Sequence, residues 1–145
     1  VSEPPLSSLA GHFINRASRL LLRRGEPRLR ALGISAAQLP VLGTLKDGLP
    51  RTQASLAALI QVEQPTMAQL LSRMERDGLV ERTPDPADRR SSFVSLTPAA
   101  KALLPKAHKE LVRGNAEALK GFTDEERDTL VSLLEKVIAN LDSPS

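Results

Sequence analysis

The sequence contains no cysteine, tryptophan or tyrosine, and only three phenylalanines. Without cysteine there can be no disulfide, thiolate metal site, cysteine nucleophile or thiol-based redox sensing, so a reducing compartment is permitted. So few aromatic rings argue against a stacking platform for single-stranded nucleic acid. The two histidines, His12 and His108, stand far apart, and no metal site is expected from them. No apolar run approaches the length of a membrane span or a signal-peptide core, which gives the expectation of a soluble, cytoplasmic protein without membrane partners. A Gly-x-Ser-x-Gly elbow, a phosphate loop and zinc-ligand spacing are also missing. Neither an enzyme nor a cofactor is therefore expected.

What is present is a chain of 145 residues with a formal net charge of +3. That length allows one compact domain, or one domain with an oligomerisation element, and a sizeable core. A charge this small says little about partners, but its distribution says more. The first fifty residues hold Arg16, Arg19, Arg23, Arg24, Arg28, Arg30 and Lys46 against Glu3, Glu26 and Asp47, whereas acids outnumber bases from Glu110 onward. One side of the molecule could face a polyanion, although a solvated charged face would look similar.

Helical periodicity runs from Leu6 to Leu32, with Gly25 and Pro27 expected to bend or interrupt it near its end and Gly33 to stop it. Ser35 is a natural N-cap for a second helix to about Asp47, with Pro40 as a potential kink and Gly48 as its stop. Thr52 caps a short helix through Ile60 whose inward residues are read as Leu56, Leu59 and Ile60. The tight connection Gln61-Val62-Glu63 leads to a further helix that ends at Asp77-Gly78. Two short helices so joined form a helix-turn-helix pattern. Strands are expected at Leu79–Thr83 and Ser92–Leu96, with a loop from Pro84 to Ser91. Thr97-Pro98 then starts a helix reaching about Leu119, and Gly121 breaks it. Thr123 with Glu126 makes a capping box for a last helix. That helix carries Leu130, Leu134, Val137 and Leu141 at spacings that suit a partner helix or packing against the first helix.

In the helix from Gln64 to Arg76, Met67, Leu70, Leu71 and Met74 recur on one face and define its buried side. The exposed side holds Gln64, Thr66, Ala68, Gln69, Ser72, Arg73 and Arg76. Glutamine can pair bidentately with adenine in a major groove, and threonine can meet a thymine methyl. An ordinary solvated face would look the same, and only the neighbouring hairpin favours the sharper reading. That hairpin carries Asp85, Pro86, Asp88, Arg89 and Arg90, and guanidinium groups are attracted to the negative potential of a narrow minor groove. Asp88 would repel phosphate, so it reads better as an orienter of Arg90.

With these residues in view, the chain resembles the MarR family of bacterial transcription regulators. The family's wing signature, Asp-x-Arg-x-x-x-Val-x-Leu-Thr, is present as Asp88, Arg90, Val94, Leu96 and Thr97. The stretch from Ser55 to Pro86 looks like the family's helix-turn-helix running into its first wing strand, and the first helix and LKGFTDEERDTLVSLLEKVIANL look like its dimerisation elements. The resemblance implies a mainly α fold with a small β-hairpin wing: a winged helix-turn-helix plus a helical dimerisation region formed by N- and C-terminal helices. Residues 1–34 and 101–145 would supply that region, and residues 35–100 the DNA-binding domain, with the recognition helix at 64–76 and the wing at 79–96. It further implies a homodimer on double-stranded DNA carrying a pseudo-palindromic operator. Arg90 would enter the minor groove with Asp88 as its orienting partner, Arg89 would contact phosphate, and Gln64, Thr66, Gln69 and Arg73 would serve the major groove.

Many relatives respond to a small, often aromatic or phenolic anion. His12, Phe13 and Arg16, within one helical turn, are candidates to line such an effector site, although Phe13 also fits a plain dimer core. The implied function is a repressor released by a ligand. The alternatives are a regulator that activates or works without a ligand, and a winged-helix module for protein–protein contacts. Two residues depart from the family pattern. Gln61 stands where many relatives have Gly, which implies backbone strain if the turn is left-handed. Glu63 stands at the cap where Ser is frequent, and it would repel an approaching phosphate.

Overall fold

The computed structural model describes residues 2–143. After a 3-10 turn at Leu6–Ser8 the chain forms α1 (Ala10–Ala31), a 3-10 turn at Ala36–Gln38 and α2 (Leu39–Leu45). It continues through β1 (Arg51–Thr52), α3 (Gln53–Ile60), α4 (Gln64–Arg76), β2 (Val80–Asp85), β3 (Asp88–Leu96), α5 (Pro98–Ala118) and α6 (Asp124–Asp142). The class is the one expected from the sequence: mainly helical with a small antiparallel sheet.

Local chemistry explains most boundaries. Gly33, Gly48, Gly78 and Gly121 all have positive φ where an element ends, a conformation glycine adopts without steric cost. The Oγ1 atoms of Thr52, Thr97 and Thr123 each accept an amide N–H from the first turn that follows. Glu126 returns the bond to the Thr123 N–H at 2.9 Å, completing the expected capping box. At Ser35 the box closes on a 3-10 turn, with Gln38 Oε1 accepting the Ser35 N–H. The α-helix proper begins only at Leu39, so Pro40 sits in its first turn, where its missing N–H costs nothing, and not at a kink.

Three further expectations need correction. Helix α1 continues unbroken through Gly25 and Pro27. Leu59 is 55% exposed and does not face the core. The expected loop 84–91 shrinks to Pro86 and Ala87, because strand pairing runs from Val80↔Leu96 out to Asp85↔Asp88. β2 lies at the sheet edge in the order β1-β3-β2, so Pro84 removes no bond the ladder needs, and the register shift falls beside it. β1 was not foreseen; it pairs Arg51 with Val94 and Thr52 with Phe93. Just before it, Asp47 accepts from the Leu49 N–H and from Arg51 at 2.9 Å, and these bonds hold its carboxyl below the usual range.

One core lies under the sheet and inside the helix-turn-helix. Val41, Leu45, Leu56, Met67, Leu71, Met74, Val80 and Val94 are fully buried there. Met67, Leu71 and Met74 form the face of α4 that periodicity assigned to the interior, with Leu70 packed partly against them. The outer helices differ. α1 packs along α5, joined by an Arg28–Glu117 ion pair at 2.7 Å. α6 has no buried residue of its own. No helix among the described residues is long and apolar enough to cross a membrane.

Candidate nucleic-acid interface

The helix-turn-helix is held at two matching corners. After α3, Val62 N–H bonds to Ala57 O at 3.0 Å and Gln61 N–H to Ala58 O at 3.3 Å. After α4, Leu79 N–H bonds to Met74 O and Gly78 N–H to Glu75 O. Both are Schellman endings that need a left-handed residue. Glycine fills the second, but Gln61 fills the first at φ 61°, ψ 48°, at a cost on the order of 1 kcal/mol. The strain foreseen at Gln61 is therefore real. Glu63 follows as the cap of α4 without accepting a side-chain cap bond, so it contributes only its charge to that helix end.

Beyond this turn, α4 presents Gln64, Thr66, Gln69 and Arg73 to solvent. Ala68, Gln69, Ser72, Arg73 and Arg76 line an open groove along the helix, opposite its buried side. Two small residues one turn apart leave that groove between longer polar side chains, the relief a helix needs to lie against base edges. Gln53, at the start of α3, donates from Nε2 to Gln64 Oε1 at 3.4 Å. Sequence reasoning missed Gln53, because its place as the first residue after a cap carries no sign of a partner on another helix.

The wing rises beside α4 and is tied to it. Arg82 of β2 pairs with Glu75 of α4 at 3.6 Å. Thr97 Oγ1 donates to Gly78 O at 2.6 Å while accepting the Ala100 N–H at 3.1 Å. One hydroxyl thus joins the end of α4, the base of the wing and the start of α5. Neither the Glu75–Arg82 pair nor the Thr97 junction was read from sequence; the wing signature contained Thr97 but gave it only the role of a cap.

At the tip, Asp85 Oδ1 accepts the Ala87 N–H and Asp88 Oδ1 accepts the Arg90 N–H, each at 2.9 Å. Asp88 therefore engages Arg90 through its backbone, because a short carboxylate reaches the amide two residues on more easily than the distant guanidinium. Arg89 and Arg90 lie in β3 rather than in a loop, and both are exposed. Among the described residues neither they nor Arg73 form an ion pair. Arg76 does, with Asp77 at 3.8 Å. Three unneutralised guanidiniums on a polar helix face and its adjoining ribbon form a surface suited to a polyanion.

The effector candidates are arranged differently. His12 and Phe13 meet edge to face, with ring centroids 5.4 Å apart. Phe13 is 57% exposed, and Arg16 stands near them on α1 without an acid partner among the described residues. Within the single chain they form an open surface.

Comparison with known proteins finds the same architecture. A sequence profile of the MarR family matches residues 32–91. The uncharacterized HTH-type transcriptional regulator YwoH of Bacillus subtilis strain 168 is 29% identical over 122 residues, 84% of this chain and 88% of YwoH. Wild-type MarR of E. coli in its apo form is 30% identical, with 94% of this chain and 99% of that one covered and a TM-score of 0.74. A cysteine-to-serine mutant of the same protein complexed with operator DNA is 28% identical with a TM-score of 0.82, covering 94% and 99%. A structure of BpsR from Bordetella bronchiseptica, concerned with regulation of its DNA binding by 6-hydroxynicotinic acid, is 26% identical with a TM-score of 0.82, covering 94% and 97%.

Proposed function

The chain belongs to the MarR family of DNA-binding transcriptional regulators, and from that premise we propose that it acts as a homodimer on an inverted-repeat operator, as a repressor released by a small aromatic acid. The observation that carries the DNA-contact reading is the pair Arg89–Arg90, whose guanidiniums form no ion pair among the described residues, on a ribbon tied to the polar face of α4. In this reading Arg90 enters a minor groove, Arg89 holds phosphate, and Gln64, Thr66, Gln69 and Arg73 lie in the adjoining major groove. Asp88 orients Arg90 by fixing its backbone. Residues 35–100 form the DNA-binding unit, while residues 1–34 and 101–145 supply the dimerisation region.

The exposed apolar residues of the terminal helices support the homodimer. Phe13 on α1, Val112 on α5 and Ile138 on α6 are each more than half exposed, and burying such surfaces is what drives obligate association. Twofold symmetry would place two α4 helices in successive major grooves and require half-sites about one helical turn, roughly 34 Å, apart. The BpsR relative supports the effector reading, and His12, Phe13 and Arg16 offer an aromatic edge beside a cation for a carboxylate. Such an acid would act by binding better to a dimer whose α4 helices miss that spacing, with a coupling of about 1–3 kcal/mol.

A binding titration at fixed salt, on DNA selected from a random pool, tests the reading. Arg90→Ala is expected to weaken binding by about tenfold or more without changing the oligomeric state. Full retained affinity would remove the wing from the interface. The same titration with 6-hydroxynicotinic acid added tests the effector arm, which fails if the affinity of the wild type does not fall with this acid or with related hydroxylated aromatic acids.

A further inference from the structure

We propose that the hydrogen bond between Gln61 and Asp142 is a strap that fixes the DNA-reading lobe against α6, and so sets which operator half-site spacing the protein accepts. Gln61 Nε2 donates to Asp142 Oδ1 at 2.6 Å across 81 positions of sequence. The acceptor is a carboxylate, which makes the bond charge-assisted and short. Asp142 is the last residue of α6, and Gln61 is the left-handed corner between α3 and α4.

Three observations single this contact out. Gln61 is the only described non-glycine residue with positive φ, so the chain accepts strain at a position whose side chain hydrogen-bonds to the end of α6. Among the described residues, this is also the only side-chain hydrogen bond or ion pair between α6 and any residue before Phe122. The apolar residues near that end of α6 do not substitute for it, since Ile138 is 62% and Leu141 80% exposed.

The mechanical consequence follows from helix dimensions. α6 has 19 residues and is therefore about 28 Å long. A small tilt of such a lever moves its end by a few ångströms, a distance that matters when two recognition helices must enter successive grooves. The Schellman bonds make Gln61 rigid with α3, and α4 begins three residues later, so a force on Gln61 is passed to the recognition helix. Gln61 and Asp142 are positioning residues that touch no DNA themselves. This inference rests on the homodimeric DNA-binding reading above.

The test uses the full chain on selected DNA whose half-sites are moved closer or further apart by single base pairs. Wild type is expected to discriminate between spacings, and Gln61→Gly and Asp142→Ala to reduce that discrimination by about fivefold or more. The double variant should lose no more than either single one. Gln61→Gly relieves the strained φ, so its melting temperature should hold or rise while spacing selectivity falls; a merely structural role would lower both. Asp142→Asn, which keeps the acceptor oxygen, should restore much of the discrimination. Wild-type spacing preference in both deletion variants would overturn the strap. Amide exchange without DNA decides it independently, because Asp142→Ala and Gln61→Gly should both deprotect the last turn of α6, and unchanged protection would equally overturn it. A wild type that selects no DNA would refute the DNA-binding reading, leaving the exchange result to decide the strap.

Discussion

At the scale of single residues, the proposed DNA-facing surface divides into groups that would distinguish bases and groups that would only find phosphate. Gln69 lies in the groove of α4 between Ala68 and Ser72, with an amide that can both donate and accept. Arg89 lies exposed on β3 and offers charge alone to whatever backbone passes. Selection from a random pool should therefore lose base preference at one definite position in each half-site for Gln69→Ala, with a modest loss of overall affinity. Arg89→Ala should weaken all sequences alike and reduce the slope of log affinity against log salt by about one per subunit. An unaltered base profile for the Gln69 variant would exclude that side chain from readout. The sequence made the polar face of α4 legible because its opposite face carries Met67, Leu70, Leu71 and Met74 at an unambiguous period. It hid the partners of that face, since Gln53 with Gln64 and Glu75 with Arg82 meet only once two elements have packed.

At the scale of elements, the same contrast between local and distant causes decides what could be read. The ends of α4, α5 and α6 follow from Gly78, Thr97 and the Thr123–Glu126 box, each acting within one helical turn. Helix α3 offered no such guide to its inner face. Its residues Ala54, Leu56, Ala57, Ala58, Leu59 and Ile60 are apolar on nearly every side, so periodicity could not reveal that Leu59 points outward. The outer part of the wing, from Pro84 to Ser91, looked like a loop because Pro84 and its charged neighbours suit turns, but an edge strand tolerates both. β1 is two residues long and exists only because β3 is there to pair with it.

The seam between α1 and α5 also belongs to this scale. The Arg28 hydrogen bond holds the Glu117 carboxyl below its usual pKa, helped by the charges of Arg28, Arg113 and Arg24. A carboxylate lowered in the folded state binds its proton more weakly there than in the unfolded chain. Its contribution to stability is full above the ordinary carboxylate range and is lost as pH falls through the lowered value. Thermal unfolding should thus show Glu117→Gln less stable than wild type at neutral pH, with the gap closing in acid. The gap should be small because solvent screens the pair. A difference that stays constant with pH would mean that the ion pair contributes nothing and that only packing changed.

At the scale of the whole molecule, the chain as a monomer leaves its last helix without a core. Val131, Leu133, Leu134, Ile138 and Leu141 of α6 are all exposed, a wider apolar surface than the Leu130, Leu134, Val137 and Leu141 stripe alone suggested. An apolar surface of that extent on one helix marks a site for a partner, and a second copy of the chain would cover it symmetrically. Ile138→Asp places a charge within that surface, where burial would desolvate it without a partner. Sedimentation should then show monomers at concentrations where the proposed wild-type dimer is expected to persist. The isolated lobe keeps its own core, from Val41 to Val94, so helical content and the melting of that lobe should change little. Operator binding should fall by about a hundredfold or more, because each lobe would lose the high effective concentration that the partner half-site gives it. The affinity that remains should show roughly half the wild-type salt slope, since one lobe neutralises half as many phosphates. A variant that is monomeric yet binds the operator with wild-type affinity and salt slope would show that each lobe reads DNA alone, and the requirement for an inverted repeat would fall with it.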